Sequence, residues 1–340
     1  MNTWRILFLI MVLSTAGKVF SQPPVNKDIT GQWTLDIEGG GVGWLQVNDD
    51  KGYLDGSLLW KGGSVLPAAH VYFDETTGQL IVTRTQEIVR SKDAEGKQVV
   101  TNTQTLTLIC KVDGSTISGM YVQPDRNGNG AVKSAFTGKR MEPLPPAPDL
   151  GKIEWGNPVT LFNGVDLSGW ELINPRQVNG FKAENGILVN DPVQPEGGRR
   201  IAYGNLRTKD TYGDFNLKVE VNVPKGSNSG VYLRGMYEIQ VMDSYGRDKD
   251  SHNMGALYSR IVPSVSAEKP AGEWQVLDMT LYKQHLTVLL NGVKIIDNQP
   301  VEGPTGGAMQ SDVLSPGPIY LQGDHGKVMY RNLVLRPVVR

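Results

Sequence analysis

Phe215-Asn-Leu-Lys-Val-Glu-Val-Asn-Val223 alternates without a break. At the two-residue period of a strand, Phe215, Leu217, Val219, Val221 and Val223 share one face, and Asn216, Lys218, Glu220 and Asn222 share the other. That is the pattern of an antiparallel strand with one side on a core and one side in water. Shorter runs of the same kind surround it: Gly230-Val-Tyr-Leu-Arg234, Tyr237-Glu-Ile-Gln-Val241, Trp274 to Tyr282, Leu286 to Leu290, Ile319 to Gln322 and Val328 to Leu335. Asn291-Gly292 is a two-residue hairpin signal, because both central positions of such a turn need positive φ. Many strands and no convincing amphipathic helix predict a sandwich of two curved sheets.

Towards the N-terminus the pattern changes texture but not type. Gln32 to Ile37, Gly43 to Val47, Tyr53 to Trp60, Leu80 to Thr85, Thr103 to Cys110, Thr116 to Val122 and Ala135 to Arg140 read as a locally joined meander over 29–141. Such a meander is expected to close into an up-and-down β-barrel. Its opening Gly31-Gln-Trp33 and closing Arg140 resemble the lipocalin-type arrangement, which implies Arg140 stacked on Trp33 at the closed end. Prolines concentrate in Glu142-Pro-Leu-Pro-Pro-Ala-Pro-Asp149, which fixes the linker at 142–152 and starts the second domain at 153–340. The 40 glycines and 20 prolines of the 340-residue chain agree with an all-β protein of many tight reversals. Residues 1–21 read as a signal peptide: Arg5, an apolar run from Ile6 to Leu13, and small residues at Val19-Phe-Ser21. The run is too short to span a bilayer, and no cysteine follows for lipid attachment, so a periplasmic or secreted protein is expected. A formal charge of −1 gives no electrostatic footprint for nucleic acid. The single cysteine, Cys110, excludes an intrachain disulfide and reads as a buried strand residue. The oligomeric state is not encoded in any pattern of this kind.

A series of motifs runs in order through the second domain: Leu161-Phe-Asn-Gly-Val-Asp-Leu-Ser-Gly-Trp170, Leu206-Arg-Thr208, Gly226-Ser-Asn-Ser-Gly-Val-Tyr-Leu-Arg234, Tyr237-Glu-Ile-Gln-Val-Met-Asp243, Gly255-Ala-Leu-Tyr258, Lys269-Pro-Ala-Gly-Glu-Trp274 and Leu321-Gln-Gly-Asp-His-Gly326. This series resembles the 3-keto-disaccharide hydrolase family, a concanavalin-A-like jelly roll. The resemblance implies a small-molecule carbohydrate substrate oxidised at carbon 3. The ketone acidifies the hydrogen on carbon 2, so a base can start β-elimination of the aglycone, and water can add back to give net hydrolysis. Gly323 is an insertion within the last motif and could displace His325.

Such chemistry needs a base, a partner for the developing oxyanion, and hydrogen bonds to hydroxyls. Glu238 and Gln240 share a strand face opposite Tyr237, Ile239 and Val241, which makes Glu238 the candidate base and Gln240 a substrate contact. His325, in a glycine-rich loop beside an acid, is the second catalytic candidate, and Lys269 a third, as a cation for an enolate. Arg234, Asp243, Tyr258, Trp274 and Asn228 are candidate substrate contacts. Glu238, His325 and Asp243 together could hold a single divalent metal ion; no cofactor is otherwise indicated. Two other functions fit an all-β sugar protein: non-catalytic carbohydrate binding, and a conventional two-carboxylate glycosidase.

Overall fold

The computed structural model describes residues 27–125 and 127–339. The segment read as a signal peptide lies outside the described residues. No α-helix occurs among those described, only the short 3-10 turns Lys27–Ile29 and Leu150–Lys152. No helix among them is long and apolar enough to cross a membrane.

The decisive stretch forms the strand Phe215–Asn222, and its alternation is realised: Phe215, Leu217, Val219 and Val221 are each fully buried, while Lys218 is exposed. Each such side chain removed from water stabilises the fold by about 1.5–3 kcal/mol, enough to set which face turns inward. The strand lies between Val328–Pro337 and Trp274–Tyr282 in an antiparallel eight-stranded sheet. A smaller sheet holds Trp170–Leu172, Leu206–Thr208, Tyr320–Leu321, Asn228–Leu233 and Tyr237–Met242, in that order. Apolar side chains of both sheets, among them Val219, Val231, Ile239, Leu277 and Leu321, form one core between them. The result is a jelly-roll sandwich. Its hairpin at Asn291-Gly292 has φ of 54° and 84°, the doubly left-handed turn that the dipeptide predicts.

Nine antiparallel strands between Gly31 and Arg140 make a separate up-and-down sheet, in which the first, Gly31–Ile37, also pairs with the last, Ala131–Arg140. It curls around its own core of Trp33, Leu35, Leu45, Leu58, Leu80, Leu108 and Cys110. The Arg140 guanidinium stacks 4.0 Å over the Trp33 ring, as expected from the sequence. Closure into a barrel is not seen. Leu66–Pro67 and His70–Asp74 remain the two edges, and no ladder joins them. The link between them instead donates Ala68 N to Gly56 O and Ala69 N to Thr83 O. Burial pushes the Cys110 thiol up to about 12, so it is an inert core residue.

Candidate active site

The outward face of the small sheet carries the polar half of its alternation. Asn228, Gly230 and Tyr232 stand on one strand, opposite Met242, Gln240 and Glu238 on the next. Tyr320 pairs with Tyr232 from the other side. Val231, Leu233, Tyr237, Ile239 and Val241 point the other way, into the core. Of these, Asn228, Tyr232, Glu238, Gln240 and Tyr320 line a pocket of about 300 Å³ with Asn205, Tyr258, Gln322, Asp324, His325 and two glycine pairs, Gly62-Gly63 and Gly306-Gly307.

Glu238 is buried at the base of this pocket. Its amide donates to Thr305 Oγ1 at 2.9 Å, and its carbonyl accepts from Tyr258 N at 2.9 Å, so loops from two directions fix its backbone. Gly230 makes room for the side chain: a Cβ there would lie 2.5 Å from Glu238 Oε1. Burial raises the carboxyl to about 7, against the opposing pull of a Tyr232 hydrogen bond and of His325. The Tyr232 hydroxyl lies 2.6 Å from Glu238 Oε2 and 2.7 Å from the Gly306 carbonyl. A hydroxyl has one proton, so it cannot donate to both. A protonated Glu238 that donates to Tyr232, which donates onward to Gly306, satisfies all three groups. When Glu238 ionises, the tyrosine proton turns towards the carboxylate. Tyr232 stacks on Tyr320 with ring centroids 3.7 Å apart, and the Tyr320 hydroxyl donates to Gly307 O at 2.9 Å.

His325 and Asp324 form the opposite wall. His325 Nδ1 and Asp324 Oδ1 are 2.8 Å apart and both side chains are half-exposed. The Asp324 hydrogen bond raises the imidazole above its ordinary value, and Glu238 adds to the rise. The same bond holds Asp324 below the ordinary carboxylate range. Gly323 does not displace the histidine. Its amide donates to Asn205 Oδ1 and its carbonyl accepts from Asn190 Nδ2, which anchors the loop beside the pocket. Two residues that line the pocket each carry a buried, unpartnered acceptor, Gln240 Oε1 and Asn228 Oδ1.

The structure thus gathers Glu238, His325, Gln240, Tyr258 and Asn228 of the residues expected from sequence. It does not gather the rest. Lys269 Nζ donates to the Trp274 carbonyl at 3.0 Å on an exposed loop, outside the pocket. The Trp274 ring lies under the Arg331 guanidinium, 4.0 Å away, on the large sheet. Arg234 turns away at the end of its strand. It is buried in a different cavity of about 720 Å³, donates to the Val313 carbonyl, and stands 3.7 Å from Asp214. Asp243 Oδ2 accepts from the Gly226 amide at 2.9 Å, a turn-closing role. The trio proposed for a divalent ion is therefore not assembled: among the described residues no three His, Cys, Asp or Glu side chains group in a way that could hold a metal. Tyr232, Tyr320, Asn205, Gln322 and the two glycine pairs were not singled out from sequence. The period that selected Glu238 and Gln240 also selects Asn228, Gly230 and Tyr232, and applied to the neighbouring strand it would have found the tyrosine.

The sequence profile of the 3-keto-alpha-glucoside-1,2-lyase-like domain matches residues 157–336, more than half of the chain. The protein belongs to this family, and carbohydrate cleavage is the family's chemistry. Among solved structures, two Parabacteroides distasonis proteins provisionally described as glycosyl hydrolases are similar. One is 28% identical with a TM-score of 0.44, over 58% of this chain and 94% of that one. The other is 22% identical with a TM-score of 0.43, over 54% and 94%. A laminarinase from Flavobacterium sp. UMI-01 is 13% identical with a TM-score of 0.35, over 55% and 100%. No curated protein matches the chain.

Proposed function

We propose that the protein cleaves 3-keto-glycosides by elimination, with Glu238 as the base. The observation that carries this reading is a buried carboxyl held near 7 in the same pocket as a histidine whose own value is raised. A base poised near neutral pH gives the best product of ionised fraction and proton affinity. Ionised Glu238 takes the hydrogen from carbon 2, and the electron pair moves into an enolate on the ketone oxygen at carbon 3. Collapse of the enolate re-forms the ketone, makes a double bond between carbons 1 and 2, and breaks the bond from carbon 1 to the glycosidic oxygen. Protonated His325, supported by Asp324, gives its proton to the departing oxygen. Addition of water at carbon 1, with return of the Glu238 proton to carbon 2, would make the net result hydrolysis. Gln240 and Asn228 accept hydrogen bonds from ring hydroxyls. Every step in this scheme is carried by side chains of the pocket, and none is routed through a metal ion.

One observation favours a second reading. Asp324 shares the pocket and is lowered while Glu238 is raised, the division of two carboxyl groups that a conventional glycosidase uses. A single assay separates the two. The protein is incubated with a 3-keto-glucoside and with the unoxidised glucoside of the same aglycone, and aglycone release is followed. Release from the keto sugar alone, with exchange of the carbon 2 hydrogen for solvent deuterium, is expected. Release from the unoxidised control transfers the case to the two-carboxylate mechanism, and saturable binding without release from either makes the protein a carbohydrate binder.

A further inference from the structure

The N-terminal sheet has its own core, yet one of its surfaces is also buried. Val42 and Trp44 project from the face opposite Leu45 and Val47; Val42 packs into the core of the jelly roll, and Trp44 is 1% exposed although it belongs to neither core cluster. The partner of Trp44 is Arg260, whose guanidinium lies 4.3 Å over the indole. Arg260 Nε and Nη2 in turn donate to the Pro304 carbonyl at 2.9 and 2.6 Å. The next residue, Thr305, holds the Glu238 amide, and the one after, Gly306, receives the Tyr232 hydroxyl. A second set of contacts reaches the same loop. Gly62 and Gly63 line the sugar pocket, and a Cβ on Gly306 would collide with the Gly63 carbonyl and lie 2.7 Å from its amide nitrogen. A third pins this glycine segment down. Val65 N donates to Ser259 Oγ at 2.9 Å, and Ser64 Oγ lies 2.9 Å from Nε2 of His252, whose Nδ1 is 2.5 Å from Asp250. The His252 ring meets Tyr258, another pocket residue, edge to face at 4.8 Å.

We propose that the N-terminal sheet is a working part of the active site: Gly62-Gly63 supply one wall of the sugar pocket, and Trp44 and Ser64 are positioning residues that hold the Pro304–Gly307 loop, and through it Tyr232 and Glu238, in place. This inference rests on the reading of Glu238 as the base. Ser64, His252 and Asp250 resemble a nucleophilic triad, but Asp250 and His252 are two residues apart in a half-exposed turn, with the His252 amide also bound to Asp250, so the arrangement serves as a clasp. The groups facing Glu238 are Tyr232, Tyr320, His325 and Asp324, all carried by the jelly roll. The N-terminal sheet therefore acts on the base by position and water exclusion, with no charge of its own in the pocket.

The test uses the full chain carrying Trp44→Ala, with Trp44→Phe as the conservative rescue, and separately Ser64→Ala with Ser64→Thr. A misplacement of about 1 Å can cost roughly 100-fold in rate, so Trp44→Ala is expected to lower kcat by about 10- to 100-fold with a smaller change in KM. Its acidic limb should also move down from near 7, because loosening the loop admits water to the carboxyl, and Trp44→Phe should recover most of both effects. Ser64→Ala should change the same parameters in the same direction by a few-fold. A readout independent of turnover is the pH titration of the Glu238 carboxyl by carbon-13 NMR, assigned with Glu238→Gln. Unchanged titration and unchanged kcat in a folded Trp44→Ala protein would overturn the inference. A titration that Trp44→Ala shifts, in a protein whose wild type acts on no keto sugar, would preserve the positioning role of Trp44 and discard the elimination chemistry.

Discussion

Tyr232 stands directly opposite Glu238 in the antiparallel pair, and its hydroxyl is within 2.6 Å of the carboxyl and 2.7 Å of the Gly306 carbonyl. One proton between two acceptors makes the state of Glu238 visible to the loop above it. Tyr232→Phe removes the bond that holds the carboxyl down, leaving burial unopposed from that side. The acidic limb of kcat/KM should therefore move to higher pH, with a deep loss near pH 6 and partial recovery above pH 8. The Gly306 carbonyl also loses its donor, a cost of about 1–3 kcal/mol for a buried group. A pH–rate profile with a matching thermal melt checks both.

Glu238→Gln should reduce the chemical step by roughly 10²- to 10⁴-fold, the ordinary contribution of a positioned base. Its effect on stability has the opposite sign. The folded carboxyl sits at about 7 against an unperturbed 4.5, so between those values the native state binds more protons than the unfolded chain. Wild-type stability then falls as pH rises through that window and is lowest above it. Glutamine carries no such cost. The Tm of the variant should exceed that of the wild type by a margin that opens between pH 4.5 and 7 and levels off at higher pH. Equal melts at pH 8 would mean that the carboxyl is not held high.

Asp324→Asn tests the other limb. The hydrogen bond that His325 donates to Asp324 is the largest cause of its raised value, and the carboxylate charge adds to it. Without that charge, His325 should lose its proton at lower pH, so the alkaline limb moves down and the optimum narrows against the Glu238 limb. Because the two groups interact, the limbs belong to the pair, and proton NMR of the His325 ring in both proteins is the direct measurement.

The fold could be read from the sequence where one period governs a whole segment, as in Phe215 to Val223, and in Asn291-Gly292, where the turn leaves little choice. The same alternation placed Glu238 and Gln240 on one face, because strand geometry alone decides that. Barrel closure was not legible: the first and last strands, Gly31–Ile37 and Ala131–Arg140, do pair, and the sheet stays open only between Leu66–Pro67 and His70–Asp74, a seam that no local pattern reports. The misplaced candidates have a shared origin. Arg234, Asp243, Lys269 and Trp274 all stand at strand ends or in loops, where a side chain's direction follows from the path of the turn. Arg234 has a φ of 55°, which breaks the alternation just where it was extrapolated. Gly306-Gly307 and Gly62-Gly63 were invisible for a different reason: they act through backbone atoms and through the absence of a Cβ, across a sequence separation that no spacing rule connects.

Lys269→Ala is a control on that contrast. Its ammonium reaches a main-chain carbonyl on its own exposed loop and no pocket atom. Activity within about two-fold of wild type is expected, since substitutions of exposed residues with no special partner usually shift free energies by no more than about 0.5 kcal/mol. A loss of kcat would mean that the loop closes over the sugar and brings the cation with it.

Gln240 makes the sharpest claim about recognition. Gln240 lines the pocket, and its Oε1 is buried without a partner, while its Nε2 reaches only the Met242 sulfur at 3.6 Å. A buried acceptor left in this state costs about 1–3 kcal/mol, and a hydroxyl of the bound sugar would relieve it. Gln240→Met keeps the length of the side chain and deletes the acceptor. The free protein should be no less stable, because an unsatisfied group is removed, whereas KM should rise by roughly 5- to 150-fold, the same energy expressed as an affinity. A deoxy sugar lacking the hydroxyl that Gln240 meets should bind both proteins equally. That double comparison separates a sugar contact from a packing residue, since packing alone would lower the melting temperature and leave the deoxy and parent sugars equally affected.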